Sequence, residues 1–179
     1  MACRTGGLQR PVAHRMHTRV LEAKHGPTLI VRALRHGDVR TVMSLFERLS
    51  EVSRRARFNG PKPCLSVSEL RQLASVDFSR HVLVAYVEGD PQPVAIARLV
   101  RERGAAEIAL AVADEYQQQG IGSALAVELV ADARAAGITE ITALVSSDNP
   151  AAVALLRRIA GVLDVHFEGG ELSIRAAIA

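Results

Sequence analysis

The chain has 179 residues, a formal net charge of +3 and 49% hydrophobic residues, which fits one globular domain with a buried core. Aromatic residues make up 3% of the chain and Trp is absent, so aromatic platforms that stack on single-stranded nucleic acid are not expected. The small basic excess indicates attraction for anions such as nucleotide phosphates, and nucleic-acid binding is only a remote alternative.

Neither a metal site nor a membrane segment is expected. The two cysteines, Cys3 and Cys64, do not have the spacing of a CxxC motif or of Cys/His metal ligands. No apolar run approaches the roughly 20 residues that cross a bilayer, and the N-terminus lacks the apolar region of a secretory signal. We therefore expect a cytoplasmic protein that binds no metal and no membrane.

The N-terminal residues 1–26 differ in composition from the rest of the chain. They contain several Arg and His, scattered Gly and Pro, and no acidic residue before Glu22. This composition predicts a disordered tail, so the folded domain is expected to cover residues 27–179.

The first part of that domain predicts one strand followed by two helices. Apolar residues dominate positions 28–34, which favours a strand, and apolar residues recur at helical spacing over positions 38–50. After a break rich in Pro and Gly at positions 59–63, a second helix is predicted at positions 66–74. There Ser66 precedes a glutamate by three residues, which is the capping-box spacing.

The remainder predicts three antiparallel strands, a long helix and a closing hairpin. The strands lie at positions 81–87, 94–100 and 107–112, and the helix runs over positions 122–136. Further elements are a strand at positions 138–145, a helix that Asn149 and Pro150 begin, and strands at positions 162–167 and 172–178. The order β-α-α-β-β-β-α-β-α-β-β describes an α+β fold, with one mixed sheet of about seven strands and about four helices on its faces.

The segment between the third of these antiparallel strands and the long helix carries the chemistry. It places Gly120 and Gly122 at the start of the helix. Glycine lets the backbone approach a ligand, and free N–H groups at a helix start lie at the positive end of the helix dipole. These features indicate an anion site. A Gly-x-Gly pair alone, however, is also compatible with a plain strand-to-helix turn that binds nothing. The segment lacks the Lys of a P-loop and the third glycine of a dinucleotide-binding fold.

The complete pattern decides between these alternatives. Val112-x-x-x-x-Gln117-x-x-Gly120-x-Gly122 is the acyl-CoA signature Gln/Arg-x-x-Gly-x-Gly/Ala of the GCN5-related N-acetyltransferase (GNAT) family, which the chain resembles over residues 28–179. The resemblance is closest to the catalytic domain of bacterial Pat-type protein-lysine acetyltransferases. The further shared motifs are Ser50-x-x-Ser53-x-x-x-Arg57-Phe58, Ala106-Glu107-Ile108-Ala109 and Ser147-Asp148-Asn149.

The resemblance implies a GNAT fold, a mostly antiparallel twisted sheet, with acetyl-CoA as the co-substrate. Backbone groups of Leu110, Ala111 and Val112 would bond its pantetheine arm, which would enter between two splayed strands. Asn149 would cap the last helix and could also contact the cofactor, because its side chain offers both an acceptor and a donor. Backbone amides would hold the pyrophosphate at Gln117, Gln118, Gln119, Gly120, Ile121, Gly122 and Ser123.

Glu107 is the candidate general base. An amine with a pKa near about 10.4 is protonated at neutral pH, so a carboxylate or a bridged water must take a proton before the nitrogen attacks. Partial burial of Glu107 in its strand would raise its pKa toward a useful range. The alternative is a solvent-facing position in an alternating strand, and the family motif favours catalysis.

The expected reaction is direct acetyl transfer to a primary amine, with a protein lysine ε-amine favoured by the Pat-like motifs. A small-molecule amine acceptor and a non-catalytic acyl-CoA-binding or sensing domain are the alternatives. Arg54, Arg55, Arg57 and Phe58, expected in a loop that shapes the acceptor pocket, suggest an acidic group beside the amine.

The remaining tyrosine and histidine side chains are not expected to take part in catalysis. Many family members use a Tyr of the last helix as general acid, yet residues 151–164 contain none, which leaves that role unassigned. We interpret Tyr86 and Tyr116 as packing residues, and His81 and His166 as surface residues. The oligomeric state cannot be inferred from the sequence.

Overall fold

The computed structural model describes residues 18–102 and 104–178. The described part of the chain begins with two strands, β1 (Arg19–Glu22) and β2 (Thr28–Ala33), followed by three helices, α1 (Val39–Glu47), α2 (Glu51–Phe58) and α3 (Val67–Leu73). The remaining elements are β3 (Arg80–Val87), β4 (Ala95–Glu102), β5 (Ala105–Val112), a 3-10 turn (Asp114–Tyr116), α4 (Ile121–Ala135), β6 (Glu140–Ser146), α5 (Pro150–Ala160), β7 (Asp164–Glu168) and β8 (Glu171–Ala177).

All the described strands form one sheet in the order β1-β2-β3-β4-β5-β6-β8-β7. Every neighbouring pair is antiparallel except β5 and β6, which run parallel. The predicted α+β class with a mixed, mostly antiparallel sheet is therefore confirmed. The sheet has one strand more, and the fold one α-helix more, than the sequence predicted.

The helix ends follow the local signals in the sequence. Asp38 caps α1 by accepting a hydrogen bond from the Thr41 N–H at 3.1 Å. Ser66 and Glu69 form the predicted capping box at the start of α3. Asn149 caps α5, and proline occupies its first turn as predicted.

Two apolar clusters lie on the two faces of the sheet. On one face α4 and α5 bury side chains such as Leu125 and Leu129 against Leu99 of β4. On the other face the helices α1 to α3 cover Val82 and Val84 of β3. The central strands are therefore buried on both sides. None of the helices in the described ranges has the length and apolar character needed to cross a bilayer.

The extra strand, β1, lies in the segment predicted to be a disordered tail, so that prediction is wrong for residues 19–22. Arg19 pairs in register with Val31, and its guanidinium donates to Glu128 at 2.7 Å and to Asp132 at 2.6 Å, both in α4. The two acidic partners are more than 100 residues away from Arg19, so the local composition does not reveal them. The rest of the predicted tail, residues 1–17, lies outside the described residues.

The extra helix, α2, replaces a predicted loop. Ser50 caps it by accepting from the Ser53 N–H at 3.2 Å, and Asn59 ends it in the left-handed conformation with φ of 52°. None of its residues is fully buried. Five of its eight residues are polar, so its few apolar residues do not mark a helix clearly in the sequence.

Candidate functional site

A gap opens in the sheet between β5 and β6. These strands pair only through Ala106 with Ile141 and Glu107 with Thr142. Beyond that point β5 stays bonded to β4 as far as Val112, while β6 stays bonded to β8. The strands therefore diverge from Glu107 onward, as the family resemblance implied, and no described strand pairs with that edge of β5 beyond Glu107.

The edge of β5 that faces the gap belongs to alternate residues. The Val112 carbonyl accepts a hydrogen bond from Gln117 Nε2 at 3.1 Å, on the side away from β4. Because alternate strand residues direct their backbone groups to the same edge, Leu110 shares this edge, whereas Ala111 is turned toward β4. The geometry thus favours Leu110 and Val112, and not Ala111, among the three residues predicted to bond an extended ligand.

The start of α4 has the features of an anion site. Gly120 precedes the helix with φ of 83°, and no side chain caps that end. The first helical bond runs from the Ala124 N–H to the Gly120 carbonyl, 3.0 Å. The N–H groups of Ile121, Gly122 and Ser123 therefore have no helical acceptor and lie at the positive end of the dipole.

The Ser50 and Ser53 motif fastens α2 to the strand-to-helix loop. Asp114 accepts hydrogen bonds from the Ser50 N–H at 2.7 Å, from Ser50 Oγ at 2.7 Å and from Ser53 Oγ at 2.8 Å. Gln117 Nε2 also donates to Ser53 Oγ, at 3.0 Å. Burial favours a higher pKa for Asp114, but the hydrogen bonds from Ser50 and Ser53 outweigh it and lower the pKa.

A second network of ion pairs and hydrogen bonds, centred on Arg48, holds the start of the same loop. Arg48 donates to Asp90 at 2.7 Å and to Glu115 at 2.5 Å, and its guanidinium lies 5.3 Å from the centre of the Tyr116 ring. The Tyr116 hydroxyl donates to Asp90 at 3.0 Å, and this bond raises the pKa of Tyr116. Tyr116 is thus a packing residue, as predicted. Arg48 escaped the sequence reasoning because its partners lie far along the chain.

Two further contacts at the loop were also missed. Arg158 of α5 donates from Nη1 to Ser123 Oγ at 3.1 Å and brings a positive charge to the uncapped helix start. The turn after β1 packs on the loop from the other side. A Cβ placed on Gly120 would lie 3.0 Å from the Lys24 nitrogen, and one on Gly26 would lie 2.6 Å from the Gln119 carbonyl oxygen. Only the tertiary structure reveals these contacts.

Glu107 lies at the point where β5 and β6 separate. Its side chain is exposed, not partly buried as the sequence reasoning expected. It lines a cleft of about 430 Å³ together with Arg57 and Phe58 of α2 and Arg98 of β4. The exposed position agrees with the alternative of a solvent-facing strand residue, but the same position opens onto a cleft that can receive a substrate, and the role of general base stays a prediction.

Asn149 acts as the helix cap that the sequence predicted. Its Oδ1 accepts from the Ala152 N–H at 3.1 Å, and no described residue accepts from its Nδ2. The Nδ2 group therefore keeps its donors for a ligand, and the cofactor contact stays a prediction.

The histidine interpretations met different outcomes. His81 is 2% exposed, and its Nε2 lies 2.9 Å from Asp132 Oδ2, so the expectation of a surface residue is wrong. It joins the ion network of Arg19, which closes over it from β1. His166 is exposed, as predicted, 3.5 Å from Asp164.

Comparison with known proteins gives consistent matches. The sequence profile of the acetyltransferase (GNAT) family matches residues 46–162. The chain is 34% identical over 147 residues to Acetyltransferase Pat of Mycolicibacterium smegmatis, which covers 79% of this chain and 44% of that protein. It is 30% identical over 131 residues to Acetyltransferase PA5475 of Pseudomonas aeruginosa, which covers 70% of each. The chain thus spans less than half the length of the first relative.

The fold is likewise similar to a solved structure. The GNAT domain of S. lividans PAT superposes with a TM-score of 0.81 and 26% identity, covering 89% of this chain and 96% of that one. Most of this chain therefore shares the fold of that domain.

Proposed function

The chain belongs to the acetyltransferase (GNAT) family and is an acyltransferase, and we propose that it moves acetyl from acetyl-CoA to a protein lysine ε-amine. The observation that carries the proposal is a set of features that connects the two faces of the sheet through the gap between β5 and β6. This path runs from the uncapped amides at Ile121–Ser123, along the open edge of β5, to Glu107 and its cleft.

The residues along this path fit acetyl-CoA. The free N–H groups at the start of α4 and the guanidinium of Arg158 would hold the pyrophosphate. Backbone groups of Leu110 and Val112 would bond the arm as an extra strand does, because their edge lacks a partner strand. Asn149 Nδ2 would supply another donor. When bound, acetyl-CoA supplies a thioester carbonyl that an amine can attack.

Glu107 would serve as the general base. A lysine ammonium with a pKa of about 10.4 must lose a proton before its nitrogen can attack a carbonyl. The Glu107 carboxylate lies in the cleft at the inner end of the gap, where it can take that proton directly or through one water. No side chain is assigned to protonate the leaving thiolate, whose pKa of about 8.5 makes it a fair leaving group without help.

The acceptor proposal rests on the Pat-like motifs. All three have a role in this structure. Ser50 and Ser53 fix α2 beside the loop, Asn149 caps α5, and Glu107 lies in the cleft. Arg57 and Phe58 of the motif that begins at Ser50 also line that cleft.

The test is acetyl transfer to a library of lysine peptides, followed by mass spectrometry, for the parent and Glu107→Gln. We expect kcat to fall about 100-fold or more while acetyl-CoA affinity, measured by calorimetry, stays within about twofold. Glu88→Gln, in the exposed turn after β3, is the matched control. A parent that binds acetyl-CoA but acetylates no peptide would instead favour a small-amine acceptor or a sensing domain.

A further inference from the structure

The cleft beside Glu107 contains two guanidinium groups that form no close ion pair with any described carboxylate. Arg57 at the end of α2 and Arg98 in β4 both line this cleft. Neither forms an ion pair within the described part of the chain, whereas Arg80, the third arginine of the cleft, pairs with Asp77 at 2.5 Å. Buried charges are normally paired, so the two groups call for an explanation.

Arg98 is a buried cation held in a fixed orientation. Its side chain belongs to a residue that is 8% exposed, and its Nη1 donates to the carbonyls of Gln72 at 3.0 Å and Leu73 at 2.8 Å, at the end of α3. Burial lowers its pKa, and the charge of Arg80 lowers it further. No described residue accepts a hydrogen bond from its Nη2 or Nε, so these donors remain available.

Arg57 faces the same space. It lies over the Phe58 ring, 5.0 Å from the ring centre. Burial of the guanidinium and then the charge of Arg98 lower its pKa to about 10, while Glu107 acts in the opposite direction. The group is still charged at neutral pH. Two like charges thus share one cleft, where an incoming anion would be stabilised by both.

Two acidic side chains of the cleft lie near its opening, and two of its arginines lie deeper. Glu102 and Glu107 are exposed and line only the outer cleft. Arg57 and Arg98 also line the adjoining apolar pocket under α1, so they lie deeper. An acidic opening above a basic floor matches a molecule that carries an ammonium group next to a carboxylate.

We propose that Arg57 and Arg98 form an anion subsite that binds a carboxylate of the acceptor, adjacent to the amine that reacts at Glu107. The inference rests on the proposed function, because it names the class of acceptor for the same site. The carboxylate comes either from an acidic residue next to the target lysine or from the free α-carboxyl group of an amino acid.

The test measures affinity, not turnover, by calorimetry in the presence of CoA. One pair of probes is a lysine peptide with a neighbouring Asp and the same peptide with Asn. The second pair is free lysine and its C-terminal amide. We expect the acid form of one pair to bind roughly tenfold more tightly or better, and the pair that shows it identifies the source of the carboxylate.

Variants of the two arginines test whether they cause the tighter binding of the acid form. Arg57→Gln should remove it, and Arg98→Lys, which keeps the buried charge but loses the fork of donors, should reduce it. Arg55, which the sequence grouped with Arg57, is exposed and is not among the residues that line the cleft, so Arg55→Gln should leave the difference in affinity unchanged.

Equal affinity for acid and amide in both pairs, or a preference that survives in Arg57→Gln, would overturn the subsite. A preference for succinyl-CoA over acetyl-CoA that Arg57→Gln removes would also overturn it, because the bound carboxylate would then belong to the acyl donor. Failure of acetyl transfer contradicts the proposed function separately, since the affinity comparison needs no turnover.

Discussion

Arg158 and Ser123 join the last helix to the start of α4 through one hydrogen bond of 3.1 Å. The contact places a guanidinium beside amides that have no helical acceptor. Neither residue belongs to the other's local environment in the sequence, since α5 and α4 are separated by β6. The pair marks the place where a negative charge on the protein itself would compete with a bound phosphate.

Replacement of Ser123 by Asp should separate folding from cofactor binding. A carboxylate in the first turn is favourable to the helix by about 0.3–1 kcal/mol and can pair with Arg158. The same charge repels pyrophosphate, so acetyl-CoA affinity should fall roughly tenfold or more by calorimetry. Ala131→Asp, exposed on the same helix, is the matched control. An equal loss of affinity in both variants would contradict the anion site.

Gly120→Ala should lower the free energy of unfolding by more than the cost of placing alanine in a left-handed conformation. A left-handed residue other than glycine costs about 1–2 kcal/mol. At Gly120 the new Cβ would also lie 3.0 Å from the Lys24 nitrogen, whereas at Gly137, with φ of 76°, it would meet nothing within 4 Å. Urea unfolding of the two Ala variants measures the difference. Equal losses would show that the turn at Lys24 does not press on the loop.

The stability of the fold should decline in acid, partly through Asp114. Its pKa is lowered in the folded state, so the unfolded chain binds the extra proton first as pH falls. The stabilising contribution is complete above the unfolded pKa of about 3.9 and is lost as pH falls through the folded value. Urea midpoints between pH 2 and pH 6 should therefore depend less on pH in Asp114→Asn.

Ser53→Ala provides the graded comparison, because it removes one donor to Asp114 and keeps the carboxylate. Its pH dependence should fall between those of the parent and Asp114→Asn. A slope identical to the parent's in both variants would exclude Asp114 as a contributor.

Arg19→Met should test whether β1 stabilises the domain. The change leaves Glu128 and Asp132 without the guanidinium that both accept from, and Asp132 is buried beside His81. We expect a loss of about 1–3 kcal/mol in the free energy of unfolding. Arg175→Met, which breaks the exposed pair with Glu140, should cost less than about 1 kcal/mol. Similar losses would mean that the ion network adds nothing beyond a surface pair.

The sequence predicted those features whose cause is local. The caps at Ser66 and Asn149 each depend on residues three positions away, and both are present. Gly120 likewise has a local requirement for glycine, because its φ of 83° lies in the left-handed region.

Features that depend on distant partners were missed. The strand at Arg19 depends on acids of α4, which lie far along the chain. The helix α2 is short and mostly polar, so its sequence gives only a weak helical signal. His81 was placed on the surface because nothing nearby in the sequence indicates Asp132 as its partner. The cationic floor of the cleft depends on Arg98 of β4 meeting Arg57 of α2, which only the packing of α2 over the sheet brings about.

Because β5 and β6 pair through only two residues each, the sheet consists of two parts that are joined at one end of the gap. The width of the opening is then set by the parts that straddle it. On one side α4 packs against α5, and on the other Asn59 Nδ2 donates to the Leu144 carbonyl at 3.4 Å. Changes in these contacts would therefore alter the width of the gap without replacing any residue that lines the cleft beside Glu107.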